Sequence, residues 1–142
     1  MKRVFIDTNV VLDFVLCREG EQKAMDVFQM GEDGLVQLVV SFLTMANVAY
    51  IARKHRSRTE LNEYLRELAS LFHILPMDEA QFNEALNNES PDFEDMLQYQ
   101  CAVYHNCDVI ITNNTKHFVF SEIKVQTPSE FLIKNNELNT SK

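Results

Sequence analysis

The chain has 142 residues, of which 46% are hydrophobic and 24% charged, and its formal net charge is −8. This length suits one domain with one core, and the sequence lacks the long apolar run of a membrane-spanning helix. The negative charge argues against generic nucleic-acid binding, in which Lys and Arg contacts to phosphate dominate affinity. We therefore expect a single cytoplasmic domain over residues 1–142, without a signal segment or membrane association.

The predicted elements alternate between strands and helices along the chain. Val4-Phe5-Ile6 is apolar on both faces and ends at Asp7, which indicates a buried parallel strand and a tight turn. Thr8 and Asn9 are candidate caps for the next helix. Helices are predicted at 9–16, 21–31, 42 to the basic residues at 53–58, 59–71, 78–86, 92–105 and 128–133, and further strands at 35–40, 73–75, 108–112 and 123–125.

The details of these elements give further expectations. The helix after Ser41 is apolar around much of its circumference, which predicts a central position. Thr59 is the expected cap of the following helix, and Phe93 and Tyr104 are expected to face the core. The polar tail over 134–142 is expected to fray.

This alternation, without repeats or linkers, predicts an α/β domain with a mostly parallel sheet. Ligands of such sheets bind beyond the carboxyl ends of the strands. The acid-rich helix start at 90–95 and the polar loop at 113–117 would therefore lie near Asp7, at the end of the first strand.

Charge is unevenly distributed along the chain. Residues 78–95 hold seven acids and no Lys or Arg, whereas residues 53–58 hold Arg53, Lys54, Arg56 and Arg58. Such a pattern is typical of a metal site beside a phosphate-contacting surface, and equally of two solvated helix ends. The basic residues have the same two interpretations: contacts to phosphates or partner acids, or compensation of a helix carboxyl end.

Several classes of site are excluded by residue type and spacing. The three cysteines have no metal-ligand spacing and are expected to be reduced and mostly buried, and the four scattered histidines argue against zinc. The three glycines form no phosphate-binding loop, and no Ser-His-Asp set is apparent.

Asp92 and Asp95 are three residues apart at a helix start, so they project to one side. A structural interpretation is available, with Asp92 as the cap and Asp95 as its partner. Asp7 favours a second one, because three neighbouring carboxylates repel one another unless a divalent cation lies between them. All-oxygen ligation indicates Mg²⁺ or Mn²⁺, which can activate water against a phosphodiester.

Four motifs occur in an order that resembles the PIN domain family, which includes toxin nucleases of VapC type. They are the strand ending Asp7-Thr8-Asn9, Ser41-Phe42-Leu43-Thr44, Asp92-Phe93-Glu94-Asp95, and Ile110-Ile111-Thr112-Asn113-Asn114. The resemblance covers nearly the whole chain. It implies a three-layer α/β/α fold and a Mg²⁺- or Mn²⁺-dependent ribonuclease acting on single-stranded RNA. It also implies a homodimer and, in the toxin branch, neutralisation by an antitoxin protein.

Carried over to this chain, the resemblance assigns metal ligation and catalysis to Asp7 and Asp95, with Asp92 sharing the role. Thr8 and Asn9 match the turn that orients the first ligand or a water. The candidates for RNA binding are Thr8, Asn9, Asn47, Asn114 and Arg53.

Two positions depart from the family pattern, because Asn47 and Asn114 stand where acids are usual. An amide oxygen can ligate a hard cation but brings no charge. Glu94 would compensate, but its place one residue from Asp95 predicts that it points elsewhere on the helix.

These asparagines, together with Asn113, also suit bonding to backbone or a turn. We expect His117 to belong to a surface loop and Thr44 to bond within its own helix.

The leading hypothesis is a metal-dependent ribonuclease, and its more specific form is the toxin of a toxin–antitoxin pair. The alternative is a PIN-fold module that binds RNA or protein and has lost catalysis, as the two asparagines would allow. A nucleotide-binding domain of flavodoxin-like topology is disfavoured because no phosphate-binding loop is present.

Overall fold

The computed structural model describes residues 1–140, and the side chains of residues 1–135. Within this part the chain forms β1 (Arg3–Ile6), α1 (Thr8–Val15), α2 (Glu21–Glu32), β2 (Gln37–Ser41), α3 (Phe42–Ala52), α4 (Arg58–Leu71), β3 (His73–Leu75), α5 (Glu79–Asn87), α6 (Phe93–Tyr104), β4 (Val109–Ile111), a short 3₁₀ helix (Thr115–Phe118), β5 (Lys124–Gln126) and α7 (Pro128–Thr140).

The five strands form one sheet in the order β3-β2-β1-β4-β5, and every pairing between neighbours is parallel. β1 lies at the centre, between β2 and β4, where the strand order reverses. This reversal opens a crevice at the carboxyl end of β1, which is the usual position of a ligand site in an open α/β sheet.

Alternate side chains of the central strand pack into two different core clusters. Val4 and Ile6 pack in one cluster with side chains of α1 to α4 and α7, whereas Phe5 packs in the other with Cys101 and Ala102 of α6. The sheet is therefore covered on both faces, because successive strand residues point to opposite sides. The result is the three-layer α/β/α architecture that the sequence predicts.

The predicted order of strands and helices is confirmed, with three corrections at helix ends. Asp7, rather than Thr8 or Asn9, caps α1, because β1 runs directly into the helix. Ser57, rather than Thr59, caps α4, since Ser57 and Glu60 exchange side-chain and backbone hydrogen bonds as a capping box.

The third correction concerns α7, which continues to Thr140 rather than ending at Ile133. The expectation of a frayed tail concerns in part residues 141 and 142, which lie outside the described residues.

The predictions of burial were wrong for α3 and for two residues of α6. Only the stripe Thr44, Val48 and Ala52 of α3 is fully buried, because these positions, four residues apart, face the core. The remaining apolar side chains of α3 include exposed ones, such as Phe42. Phe93 and Tyr104 are likewise exposed, and Phe93 packs edge-to-face on Phe82 of α5 at a centroid distance of 5.2 Å.

Cys101 and Cys107 are buried and Cys17 is exposed, and all three are free thiols. Among the described residues, no helix has the length and apolar character needed to cross a membrane.

Candidate active site

Asp7 lies at the carboxyl end of β1 and is 6% exposed. Its backbone N–H donates to the Ile111 carbonyl of β4 at 2.9 Å, which ties it to the sheet. Its Oδ1 accepts from the Thr8 N–H at 2.9 Å, and its Oδ2 accepts from Thr112 Oγ1 at 2.8 Å and Asn9 Nδ2 at 3.3 Å. Burial raises the pKa of Asp7, and these donors, Thr112 foremost, oppose the rise. The carboxylate is therefore held in one orientation by donors on its non-solvent side.

The start of α6 brings further acids to this edge of the sheet. Asp92 is the helix cap, with its Oδ1 accepting from the Asp95 N–H at 3.1 Å, as the structural interpretation predicts. The Asp95 carboxylate does not complete a capping box. Burial, together with the negative charges of Asp92 and Asp7, raises the pKa of Asp95 to about 6. Asp95 and Asp7 are thus close enough for their charges to interact.

Glu94 corrects a prediction, because it does not point away from the site. Asn47 of α3 donates from its Nδ2 to Glu94 Oε1 at 3.0 Å. Burial raises the pKa of Glu94, and the charges of Asp92 and Asp7 raise it further. A carboxylate from α6 therefore lies where α3 offers only the Asn47 amide.

His117 and Asn114 lie on the loop after β4. His117, expected in an unremarkable surface loop, belongs to the 3₁₀ helix, and its Nδ1 lies 3.4 Å from Asp95 Oδ2. The Asn114 N–H donates to Thr112 Oγ1 at 3.1 Å, so Asn114 is linked to Asp7 through Thr112. Both residues therefore border the acidic cluster, which we define as Asp7, Asp92, Glu94 and Asp95.

A buried polar network lies beneath the acidic cluster. Gln98 of α6 accepts from Ser41 Oγ at 2.6 Å and donates to Thr44 Oγ1 at 2.8 Å and to Thr8 Oγ1 at 3.4 Å. The Thr8 and Thr44 hydroxyls are 3.1 Å apart, and Ser41 caps α3. Thr44, expected to pack or bond within its own helix, is buried and bonds to the cap residue Ser41, and it also bonds to Thr8 of α1 and Gln98 of α6. This network joins the starts of α1 and α3 to the middle of α6, and all three helices carry site residues.

A second polar chain lies on the other side of Asp7. Asp13 of α1 accepts from Asn113 Nδ2 at 2.7 Å, and the Asn113 N–H donates to Asn9 Oδ1 at 3.1 Å. Asn113 is therefore more than a turn residue, since it connects α1 to the loop after β4.

Arg53 is not joined to the acidic cluster by any hydrogen bond among the described residues. It is six positions beyond Asn47, about 9 Å farther along the α3 axis, and its guanidinium stacks over Tyr50 at 4.2 Å. Arg56, in the same basic segment, donates to the Val15 carbonyl at 3.1 Å. Part of the basic segment thus has a structural role.

Sequence reasoning missed Asp13, Gln98 and Thr112 and misjudged Glu94. For Gln98 one signal was available, because a buried amide among the core positions of a helix requires partners. No local signal distinguishes Asp13 from an ordinary helix residue.

The donor set of the acidic cluster was tested against a hard divalent cation. Among the side chains that the structure describes, those of residues 1–135, no group of three or more from His, Cys, Asp or Glu forms a complete metal site. Mg²⁺, however, keeps several waters and is usually bound through one or two carboxylates. Asp7 and Asp95 provide two, and the mutual charge effects in the cluster are of the kind that a cation relieves. The oxygen donors therefore fit Mg²⁺ or Mn²⁺.

A parallel α/β/α sandwich with an acidic cluster at the switch point of its sheet defines a narrow structural class. The PIN domain family model matches residues 3–116, so the chain belongs to the PIN domain family.

Among relatives, the chain is 27% identical over 143 residues to Ribonuclease VapC1 of Aquifex aeolicus (strain VF5), covering 96% of this chain and 98% of that protein. A toxin-antitoxin complex from Klebsiella pneumoniae contains a chain that is 26% identical, with a TM-score of 0.65 and coverage of 88% and 97%. VapBC2 from Rickettsia felis, bound to a DNA fragment from its promoter, has the same fold at 14% identity, TM-score 0.65, and coverage of 88% and 98%.

Proposed function

We propose that this protein is a Mg²⁺- or Mn²⁺-dependent ribonuclease that hydrolyses phosphodiester bonds of single-stranded RNA. One observation carries the proposal: the buried Asp7 carboxylate at the end of β1 lies at the same end of the sheet as Asp95 and Glu94 of α6, whose pKa values are raised by burial first and then by the charges of Asp92 and Asp7. Neighbouring acids whose pKa values are raised by burial and by mutual repulsion are typical of functional sites. The similarity to a protein named Ribonuclease VapC1 supports the same conclusion.

In this proposal Asp7 and Asp95 hold the metal ion, with Asp92 contributing through its charge. When bound, the ion would polarise a phosphoryl oxygen of the substrate and lower the pKa of a water molecule bound to it. Thr8, Asn9 and Thr112 orient Asp7 by the hydrogen bonds described above. Asn47 orients Glu94, whose carboxylate restores a negative charge that the family pattern usually draws from α3.

We assign RNA contacts to the border of the cluster. Asn114 and His117 would contact the phosphate beside the scissile bond, and Arg53 would contact the backbone farther along α3. These residues are neutral amides and a few cations in an acidic protein, so we expect the RNA to be held through few phosphate contacts. The affinity for RNA should therefore depend only weakly on salt concentration.

The first test is titration with Mn²⁺ and Mg²⁺ by calorimetry, on the wild type and on Asp7→Asn, followed by cleavage assays on single-stranded RNA. We expect saturable binding and cleavage by the wild type, and loss of both in the variant. Wild-type protein that cleaves no RNA across varied substrates and both metals would refute the proposal.

A second candidate function has its own support in Asn47 and Asn114, which lack the charge of the usual acids. A PIN-fold module without catalysis would bind RNA or protein in the absence of metal, and its binding would survive Asp95→Asn. Retained RNA affinity in that variant, without any cleavage by the wild type, would favour this function.

We further propose that the protein is the toxin of a toxin–antitoxin pair and forms a homodimer. The similarity to the chain of the Klebsiella pneumoniae toxin-antitoxin complex supports the antitoxin partner. The homodimer is supported by exposed apolar side chains on α3 and α5, including Phe42 and Phe82, which border a groove of about 710 Å³. Co-expression with a neighbouring small reading frame, and mass determination by light scattering, test the two parts separately.

A further inference from the structure

Asp13 is a buried acid to which the proposed chemistry gives no role. It lies on the second turn of α1 and is 8% exposed. A buried carboxylate is costly unless it is well hydrogen-bonded, so its presence calls for a reason. Its side-chain partner is Asn113, whose Nδ2 donates to Asp13 Oδ2 at 2.7 Å.

From Asn113 a chain of hydrogen bonds leads to Asp7. The Asn113 N–H donates to Asn9 Oδ1 at 3.1 Å. An amide carries its acceptor and its donors on opposite sides, so fixing the Asn9 oxygen directs its Nδ2 the other way. That Nδ2 lies 3.3 Å from Asp7 Oδ2 and 3.4 Å from Thr112 Oγ1. One of the three hydrogen bonds that orient the Asp7 carboxylate, the 3.3 Å bond from Asn9, thus depends on the position of Asn113.

Asn113 belongs to an exposed loop, and its side chain is held by Asp13. We propose that Asp13 is a positioning residue, which fixes the loop after β4 through Asn113 and thereby orients Asn9 and Asp7. This inference rests on the proposed function, since it assigns to Asp7 the binding of a divalent cation. Groups that orient a metal ligand commonly contribute about 10- to 100-fold to metal affinity.

A substitution at Gly20, the residue that precedes α2, offers a second way to displace the Asp13 side chain. A Cβ at Gly20 would lie 2.3 Å from Asp13 Oδ2, which is far inside contact distance. The backbone of Gly20 has φ −79°, so alanine is compatible with it. Gly20→Ala therefore displaces the Asp13 carboxylate without removing any polar group.

The test measures Mn²⁺ affinity by calorimetry on the full chain. We expect Asp13→Ala and Asn113→Ala each to weaken Mn²⁺ binding by about 10- to 100-fold. The double variant should bind no more weakly than either single one, because both changes break the same chain of bonds. Asp13→Asn should retain most of the affinity, since its amide oxygen can accept the bond from Asn113.

Gly20→Ala sharpens the test. It should weaken Mn²⁺ binding in the wild type and have no effect on affinity in the Asp13→Ala or Asn113→Ala background. Asp33→Ala is the control, because Asp33 is an exposed acid between the end of α2 and the amino end of β2, whereas Asp7 lies at the carboxyl end of β1. If Asp13→Ala does not fold, as judged by circular dichroism, the Asn113→Ala and Gly20→Ala pair carries the test.

Wild-type affinity in Asp13→Ala, or additive effects of Asp13→Ala and Asn113→Ala, would overturn the inference. Failure of the proposed function has a different signature, namely a wild type that binds Mn²⁺ but cleaves no RNA. If the wild type binds no Mn²⁺, the Asn9 side-chain amide resonance decides the matter. It should shift in Asp13→Ala and remain unchanged in Asp33→Ala, and an unchanged resonance in both would overturn the inference.

Discussion

At the scale of the residue, Asp7 combines two roles in one carboxylate. Its Oδ1 caps α1 through the Thr8 N–H, and its Oδ2 is bound by Thr112 and Asn9. These donors oppose the rise in the Asp7 pKa that burial causes. Asp7→Asn retains a capping oxygen but loses the negative charge, so we expect a folded protein whose affinity for Mn²⁺ falls by at least about tenfold.

The matched control for this change is Asp78→Asn, which alters the equivalent capping aspartate of α5 away from the acidic cluster. Calorimetry should show wild-type Mn²⁺ affinity in the control. Equal losses in the two variants would refute a specific role of Asp7.

The raised pKa of Asp95 predicts a pH-dependent effect on stability. Its pKa in the folded protein, about 6, exceeds the ordinary value of 3.8, so folding favours the protonated form. The resulting stabilisation is complete below the ordinary pKa and is lost as the pH rises through about 6. Asp95→Asn should therefore raise the melting temperature at pH 7.5 more than at pH 4, in metal-free buffer.

Thermal unfolding followed by circular dichroism at several pH values checks this expectation. Asp33→Asn, an exposed acid outside the cluster, should show no such trend. A melting temperature that falls in Asp95→Asn at pH 7.5 would contradict the assigned electrostatic repulsion.

The same carboxylates predict how metal binding depends on pH. Protons and Mn²⁺ compete for Asp95 and Glu94, whose pKa values are both raised. The apparent Mn²⁺ affinity should accordingly rise between pH 5 and pH 7.5. Calorimetry across this range is the measurement, and a flat profile would exclude Asp95 as a ligand and Glu94 as a charge that supports binding.

Among the helices, α6 is joined to the start of α3 by a side chain in the middle of α6. Gln98 of α6 is 1% exposed and bonds to Ser41 and Thr44, at the start of α3. Gln98→Leu leaves these buried hydroxyls without their amide partner. We expect a loss of about 2–3 kcal/mol in the free energy of unfolding, because unsatisfied buried polar groups cost about 1–3 kcal/mol each.

Gln100→Leu is a matched control two positions along the same helix. Gln100 is also buried, but its Nε2 contacts Met96 Sδ at 3.6 Å, which is a weaker interaction. Urea denaturation should show a distinctly smaller loss for Gln100→Leu. Equal losses would mean that the Gln98 network does not join the helices as described.

At the scale of the whole molecule, the apolar face between α3 and α5 predicts self-association. Phe82 is 45% exposed and borders the groove there. If this face joins two copies, Phe82→Glu should convert a dimer to a monomer, because a charge would be buried at the contact. Light scattering measures the mass, and Ile133→Glu, at an exposed apolar residue of α7, is the control. A monomeric wild type would refute the prediction.

The strands, most helix positions and the end of the sheet where Asp7 lies can be predicted from the amino-acid sequence. The strand at Val4-Phe5-Ile6 and the helix cap at Ser41 depend on neighbouring residues and on periodicity, so a short stretch of sequence is enough to predict them. The same holds for Asp92, whose place three residues before Asp95 predicts a cap. The cap of α4 is legible in the same way, because Ser57 and Glu60 have the spacing of a capping box, and the prediction of Thr59 as the cap is wrong.

Which polar groups meet around Asp7 depends on how distant segments of the chain pack together. The bonds Asn113–Asp13, Gln98–Ser41 and Asn47–Glu94 join residues 100, 57 and 47 positions apart. Such contacts depend on the strand order and on the rotation of each helix about its axis. A helical period identifies which residues share a face, but packing against the sheet decides what that face meets. For this reason the sequence predicts that Glu94 points away from the site and gives no sign of the role of Asp13.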